Sequence, residues 1–432
     1  MSVPMDPAVV FAARPALARK TRVDVLLALL VGYAALLPFE WGVENMLRFS
    51  AADAALILAL FFAVSRLRYR PENWSVWHYS LLALFAFSTL SVPARAGELQ
   101  RYVYLNKDDG LVALFLAYAF LNSALASWTR IRLVLRAFVI SVVLQNLVGL
   151  GAWVASTRFG IDSMFVWDNG LRLGGLMGDA NAYGGLLATA LVICEGACTG
   201  REPLFKNSFL YFARVTLAAG LLVSFSRTAW ISLGLVFLFL LLTRFETAIR
   251  GLFLLLCGAA VTVILMGRSF LALFEDLAFR PEVATGNGRT RVDLVSTGLQ
   301  SFSRHPFFGT GIGSFFAQQG SIEHNSAVWF LTEFGLVGLV IFCGFLGWFF
   351  LKARSAYRRA PIPQKPIVFG VTLGFIAMAG MSLGIEAFYQ RHWWLTFALI
   401  AASNSVALRQ RRPRLFVPAG FIPSISRRAV HG

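Results

Sequence analysis

Residues 327–351 read AVWFLTEFGLVGLVIFCGFLGWFFL, a run with one ionisable group, Glu333, near its start. A stretch of roughly 17 to 25 apolar residues is long enough to cross the hydrocarbon core of a bilayer as a helix, which satisfies its own backbone hydrogen bonds there. Working outward from this run, the same pattern recurs at residues 22–40, 50–66, 76–93, 110–126, 131–155, 181–199, 208–224, 229–243, 250–267, 366–385 and 392–408. The expectation is an all-α integral membrane protein of about 12 transmembrane helices. The first span begins late and has no small-residue cleavage site, so it reads as a retained anchor.

Composition agrees with that class. The 432 residues are 57% hydrophobic and 14% charged, with a formal net charge of +17. The basic residues collect in alternate loops: Arg19 to Arg22, Arg66 to Arg70, Arg130 and Arg132, Arg201 and Lys206, Arg244, Lys352 to Lys365, and the tail from Arg409. By the positive-inside rule these loops face the cytoplasm, both termini included, and anionic membrane lipids are their natural neighbours. No soluble basic face or motif suggests nucleic acid. The resulting division is a cytoplasmic tail (1–21), nine helices (22–267), a large periplasmic loop (268–326), three helices (327–408) and a basic cytoplasmic tail (409–432). Within the large loop, Val292, Val295, Leu299 and Phe302 recur at helical spacing between Arg289 and Arg304, which predicts an amphipathic helix lying on the membrane surface.

Cys194, Cys198, Cys257 and Cys343 lie inside apolar stretches without a CxxC pair or a histidine at ligand spacing, so they read as packing residues and no metal is expected. The span centres are nearly free of ionisable groups, which argues against an ion-coupled transporter. Chemistry-bearing residues gather instead in the loops on the other side. RLGGLMGDANAYGG, from Arg172, offers Asp179 or Asn181 as a helix cap and accessible backbone N–H groups; it is a plain capped turn or an anion site. SFSRTAW (224–230) sets Arg227 at a membrane boundary beside Ser226, where snorkelling or bidentate phosphate binding would both account for it. GNGRTRVDL (286–294) places Arg289 and Arg291 at a helix start, against the dipole, a conflict that a bound anion would relieve. EHNSAVWFLTEFGLVGL (323–339) sets His324 and Asn325 before a span, as a capping cluster or as a base for a sugar hydroxyl. In GIEAFYQRHWW (384–394), Arg391 is a further candidate for substrate binding, and Trp393 and Trp394 read as an interfacial belt.

Taken together, these segments resemble the O-antigen ligase-related family of polytopic glycan transferases over roughly residues 170 to 345. The resemblance rests on the glycine-arginine pair at Gly288 and Arg289, the turn HPFFGTGIG, the pair His324 and Asn325, and the Glu-x-Gly-x-x-Gly that follows. Ser226 with Arg227 and Asp179 with Asn181 also fit, although Ala180 stands where proline is common. The resemblance implies inverting, metal-independent transfer of a glycan from undecaprenyl diphosphate to an acceptor hydroxyl, at the periplasmic face of a bacterial inner membrane, with no cofactor. Arg227 and Arg289 would bind the diphosphate with Arg172 or Arg291 in support, and His324 would serve the acceptor. The acceptor would be the lipid A core for a ligase or a second carrier-linked glycan for a polymerase; protein-directed transferases share similar motifs. A non-catalytic lipid-linked glycan binder or transporter is the reading of another class.

Overall fold

The computed structural model describes residues 24–40, 50–63, 69–90, 103–167, 171–266 and 290–411. Both tails, Arg289 and the first part of the large loop lie outside the described residues. The helices are α1 (Val25–Leu36), α2 (Ala51–Ala63), α3 (Val76–Leu90), α4 (Asp109–Ala124), α5 (Trp128–Phe159), α6 (Ala180–Ala197) and α7 (Asn207–Val223). They continue with α8 (Arg227–Thr243), α9 (Phe245–Met266), α10 (Arg291–Arg304), α11 (Ser314–Gln319), α12 (Ser326–Arg359), α13 (Lys365–Met381) and α14 (Arg391–Arg411). Among the described residues the extended structure is one antiparallel pair, β1 (Val166–Trp167) and β2 (Arg172–Leu173), with Trp167 opposite Arg172. The protein is therefore all-α, and every apolar stretch singled out in the sequence carries a helix. Among the described residues, three helical stretches, Trp128–Phe159, Ser326–Arg359 and Ile362–Met381, are long and apolar enough to cross a membrane; six other apolar helices are shorter, at 10–17 residues.

The centre of the bundle is the contact between α6 and α13. Every residue of α6, polar ones included, is buried, and small residues let the two backbones meet. A Cβ added at Gly196 would come within 2.4 Å of the Gly370 Cα, so neither helix tolerates a side chain there. Cys194 is buried in this core, whereas Cys343 on α12 is exposed, so the packing role expected of all four cysteines holds unevenly.

The basic loops share one end of the bundle. Arg132 donates to the carbonyls of Glu202 and Pro203, Arg136 to Leu204, Lys352 to Glu72, Arg244 to the Tyr357 hydroxyl, and Arg411 to Arg358 and Arg359. Arginine and lysine tips thus bind loop carbonyls, a tyrosine hydroxyl and, in Arg358 and Arg359, the last carbonyls of α12.

Helix α12 is broken at Gly335, whose φ of 68° and ψ of −161° leave the helical region. In an uninterrupted helix the amides of Leu336 and Val337 would bond the carbonyls of Thr332 and Glu333. The turn after α10 takes both sides of that exchange: Leu336 donates to the Pro306 carbonyl (2.8 Å) and Val337 to Phe307 (3.2 Å), while the Thr332 carbonyl accepts from Thr310 (3.0 Å) and Glu333 from Gly311 (2.9 Å). The approach is so close that a Cβ at Gly335 would lie 2.4 Å from the Phe307 carbonyl, and one at Gly309 2.4 Å from the Glu333 carbonyl carbon.

Residues 291–304 form a helix where the sequence predicts one, and part of its apolar stripe stays open while another face packs: Val292 and Leu299 are 68% and 45% exposed, whereas Leu294 and Gly298 are buried. The reason is steric, since α10 packs on α12 with Gly298 against Val328 and Thr332, where a larger residue would collide. Trp393 and Trp394 do not form an interfacial belt, because both are fully buried. The Trp394 indole donates to the Phe388 carbonyl (2.8 Å) and packs against Phe115, giving its polar atom a partner inside the core.

Because Gly335 combines positive φ with backbone contact, Gly335→Ala should destabilise the protein by more than about 1–2 kcal/mol. Thermal unfolding in detergent is the measurement, and Gly347→Ala, at a site where a Cβ meets nothing within 4 Å, should leave the transition near wild type.

Candidate active site

The segments singled out in the sequence meet at the end of the bundle opposite the basic loops. At one side, Ser226 caps α8 by accepting from the Ala229 amide (3.2 Å), and Asp179 caps α6 by accepting from the Asn181 amide (2.7 Å). Between the helices α7 and α8, Phe225 adopts φ of 49°, a conformation that a bulky residue rarely takes. Arg172, on β2, donates from Nε to the Ser224 carbonyl (3.1 Å) and from Nη2 to Asn181 Oδ1 (3.1 Å). The same Asn181 oxygen accepts from Ser226 Oγ (3.2 Å), so Arg172, Asp179, Asn181 and Ser226 form one network. Arg227 follows as the first residue of α8 and is exposed.

The connection from α13 to α14, residues 382–387, is where the other segments arrive. Thr228 of α8 touches Gly384 so closely that a Cβ there would lie 2.4 Å from the threonine Oγ1. Arg291 reaches the Gly384 carbonyl from α10 (3.4 Å). Asn325 donates from Nδ2 to the Leu383 carbonyl (2.9 Å), and the Ser326 amide to Ser382 (2.8 Å). Ser326 Oγ donates to the Ile385 carbonyl and accepts from the Ala387 amide. Arg227, Arg291 and His324 are thus each bonded to, or adjacent in sequence to, a residue that holds this one connection.

Local chemistry explains the positions. Asn325 Oδ1 accepts from the amides of Ala327 and Val328 and so caps α12, which uses both ends of its side chain for structure. His324 immediately before it takes φ of 53°, in the left-handed region where histidine is among the better tolerated residues. The arginine at the start of α10 meets a full capping box, with Thr290 Oγ1 accepting from the Asp293 amide and Asp293 accepting from Thr290. Asp293 offsets the unfavourable placement of Arg291 at a positive helix end, and the Thr-x-x-Asp spacing was the signal for it. Arg391 is committed elsewhere: its guanidinium binds both Asp53 oxygens (2.9 and 2.6 Å) and Glu40 (3.1 Å), tying α14 to α2 and the end of the α1 segment.

Beneath the connection lies a buried charged cluster that spacing along the chain does not show. Lys107 pairs with Glu386 and sits over the rings of Trp329 (4.9 Å) and Tyr389 (4.8 Å). Glu333 accepts from the Trp329 indole (2.7 Å), and Glu323, 2% exposed, keeps Oε1 without a hydrogen-bond partner. Burial pushes the Glu323 carboxyl well above its usual range, and the Glu333 and Glu386 charges push it further, against a smaller opposing pull from Lys107. Burial and the neighbouring carboxylates thus favour the protonated form of Glu323, the residue before His324.

Residues 212–343 match the family model described as O-Antigen ligase, which supports an O-antigen ligase/polymerase-related family for the chain. The match supports a glycosyltransferase of ligase or polymerase type, a membrane-integral class that handles lipid-linked glycan donors and their acceptors. It covers Ser226, Arg227, Arg289, Arg291, His324 and Asn325, and stops short of Arg172, Asp179, Asn181 and Arg391. No curated protein matches the chain.

A carboxyl whose value is raised on folding contributes stability that is complete below its unfolded value, here 4.5, and is lost as pH rises through the folded value. Wild-type thermal stability should therefore fall as the pH rises above about 5, while Glu323→Gln, which keeps the shape without the ionisation, should flatten that fall. Unfolding temperatures of both forms across that range in one detergent make the comparison.

Proposed function

We propose that this protein transfers a glycan from an undecaprenyl-diphosphate carrier to an acceptor hydroxyl, with the lipid A core as acceptor. The observation that carries the reading is the convergence on residues 382–387 of Arg291 and of Thr228 and Asn325, the chain neighbours of Arg227 and His324. Two guanidinium groups suit a diphosphate, since each offers paired donors and a permanent charge. A neighbouring imidazole suits the hydroxyl that must lose a proton.

The reaction follows from those roles. The acceptor oxygen attacks the anomeric carbon from the face opposite the diphosphate, forming one C–O bond as the other breaks, so the configuration inverts. The hydroxyl proton passes to His324, and the bonding electrons leave with the diphosphate. Arg227 and Arg289, with Arg172 and Arg291 in support, stabilise the charge that grows there, so that no metal or cofactor is called for. Asp179, Asn181 and Ser226 act by fixing Arg172 and the start of α8, and Asn325 by fixing the backbone at His324. Arg391, bound to Asp53 and Glu40, steadies the mouth of the site.

In this reading the chain crosses a bacterial inner membrane twelve times, with both termini cytoplasmic and the site periplasmic. The gathering of basic side chains at the far end of the bundle supports that orientation, because lysine and arginine mark cytoplasmic loops. Polymerisation, in which a second carrier-linked glycan replaces lipid A core, uses the same roles and differs only in the acceptor.

In vesicles supplied with a purified undecaprenyl-diphosphate oligosaccharide and lipid A core, the wild type should form product with a chelator present. His324→Asn preserves a residue that accepts positive φ but lacks the base, and Arg227→Lys keeps charge but loses the paired donors. Each should lower the rate by about 10²-fold or more while leaving folding intact. Extension of the carrier-linked glycan in place of lipid A core product would make the enzyme a polymerase; undiminished transfer by His324→Asn would remove the histidine from the mechanism.

A further inference from the structure

Among the described residues, the carboxyl groups of Glu323, Glu333 and Glu386 meet one ammonium, that of Lys107, beneath residues 382–387. Lys107 stands in the helical turn Val103–Asp108 that leads into α4, and it pairs with Glu386; the two side chains are 5% and 9% exposed. The ammonium lies 4.9 Å from the centre of the Trp329 ring and 4.8 Å from that of Tyr389. A Cβ added at Gly110 would come within 3.3 Å of the Tyr389 ring, so the segment that carries Lys107 packs directly on this aromatic wall.

Burial makes the balance of charge decisive. An ion pair withdrawn from water gains little over apolar side chains of the same volume, yet removing one partner leaves a desolvated charge, which is strongly unfavourable. The two partners are not equivalent here. Without Glu386, Lys107 keeps Glu323 and Glu333 as counter-charges. Without Lys107, Glu386 is left among two further carboxyls, and turning toward water is the way to relieve it.

Glu386 cannot turn alone. Its neighbours Ile385 and Ala387 are both bonded to Ser326 Oγ (3.1 and 3.0 Å), and the carbonyl of Gly384, two residues earlier, accepts from Arg291 (3.4 Å). We propose that Lys107 is a positioning residue of the diphosphate site: by balancing Glu386 it holds residues 382–387 in place, and through Gly384 it docks Arg291. The inference rests on the reading of Arg291 as a diphosphate ligand. Lys107 itself touches no substrate, and its effect passes through the connection.

The test uses the full chain in vesicles supplied with the undecaprenyl-diphosphate oligosaccharide and lipid A core. Lys107→Met should raise the donor KM about tenfold, the worth of one charge-assisted hydrogen bond, and leave the acceptor KM unchanged. A merely structural loss would lower the amount of folded enzyme, and with it kcat, at unchanged KM. Lys107→Arg keeps the charge and should stay within about threefold of the wild type. Adding Glu386→Gln to Lys107→Met should recover most of the donor KM, whereas Glu386→Gln alone should raise it less than Lys107→Met does. Hydrogen exchange, which does not depend on transfer, should quicken about tenfold at residues 382–387 in Lys107→Met and slow again in the double variant. An unchanged donor KM or wild-type exchange in folded Lys107→Met, or a double variant no better than Lys107→Met, would overturn the proposal. Absence of transfer by the wild type, with faster exchange at 382–387 in Lys107→Met, would remove the proposed function and leave the positioning contact standing. Should Lys107→Met not fold, Lys107→Gln, which keeps a hydrogen-bond donor without the charge, takes its place with the same expectations.

Discussion

Four backbone hydrogen bonds hold the turn at residues 306–311 into the break of α12 at Gly335. A helix interrupted inside an apolar bundle leaves amides and carbonyls that water cannot reach, and such groups must find partners in the protein. The turn supplies them on both sides, replacing two helical bonds by four. Its glycines at 309, 311 and 313 all take positive φ, which is what allows a chain to run this close to a helix backbone. The motif His-Pro-x-x-Gly-x-Gly and the later Glu-x-Gly are therefore two halves of one joint, and neither half satisfies its backbone without the other.

That joint sets the start of α12 and the path of α10. Ser326–Phe334 is separated from the remainder of α12, and its beginning is fastened to residues 382–387 through Asn325 and Ser326. Helix α10 packs on this short piece through Leu294 and Gly298, which brings Arg291 to Gly384. From the other direction, Gly184 admits Ser226 and Ala229 so closely that α6 and α8 start side by side, which joins Arg172 and Asn181 to the same end. Arg227 and Arg291 are consequently presented by capped helix starts, Arg172 by a strand and His324 by a left-handed residue. Beneath them, Lys107 with Glu386, and Glu323 with Glu333, form a buried layer that couples α12 to the segment before α4.

The helices were legible because hydrophobic length is a local property: each apolar stretch became a helix. The candidate segments were legible for a related reason, since caps and glycine turns carry short-range signals such as Asp179, Ser226 and Asn325. What the sequence did not show depends on partners far apart along the chain. Arg391 reads as an exposed cation until Asp53 and Glu40 take up its donors, and Lys107 has no meaning without Glu386. Trp393 and Trp394 have the composition of an interfacial belt, yet Phe388 offers one of them a buried carbonyl and the core closes over both. On α10 the apolar period is legible, whereas the contact with α12 is not, because it is made at a glycine, Gly298, which a hydrophobic pattern does not mark.

The account stands on a diphosphate being held at residues 382–387 by Arg227 and Arg291 beside His324. A cryo-EM map of the full chain in nanodiscs saturated with undecaprenyl diphosphate tests this directly. The account predicts density for the two phosphates within hydrogen-bond reach of Arg227 and Arg291, with His324 facing the side left open for an acceptor. Diphosphate density at Arg391 or at the basic end of the bundle, with these arginines unoccupied, would contradict it.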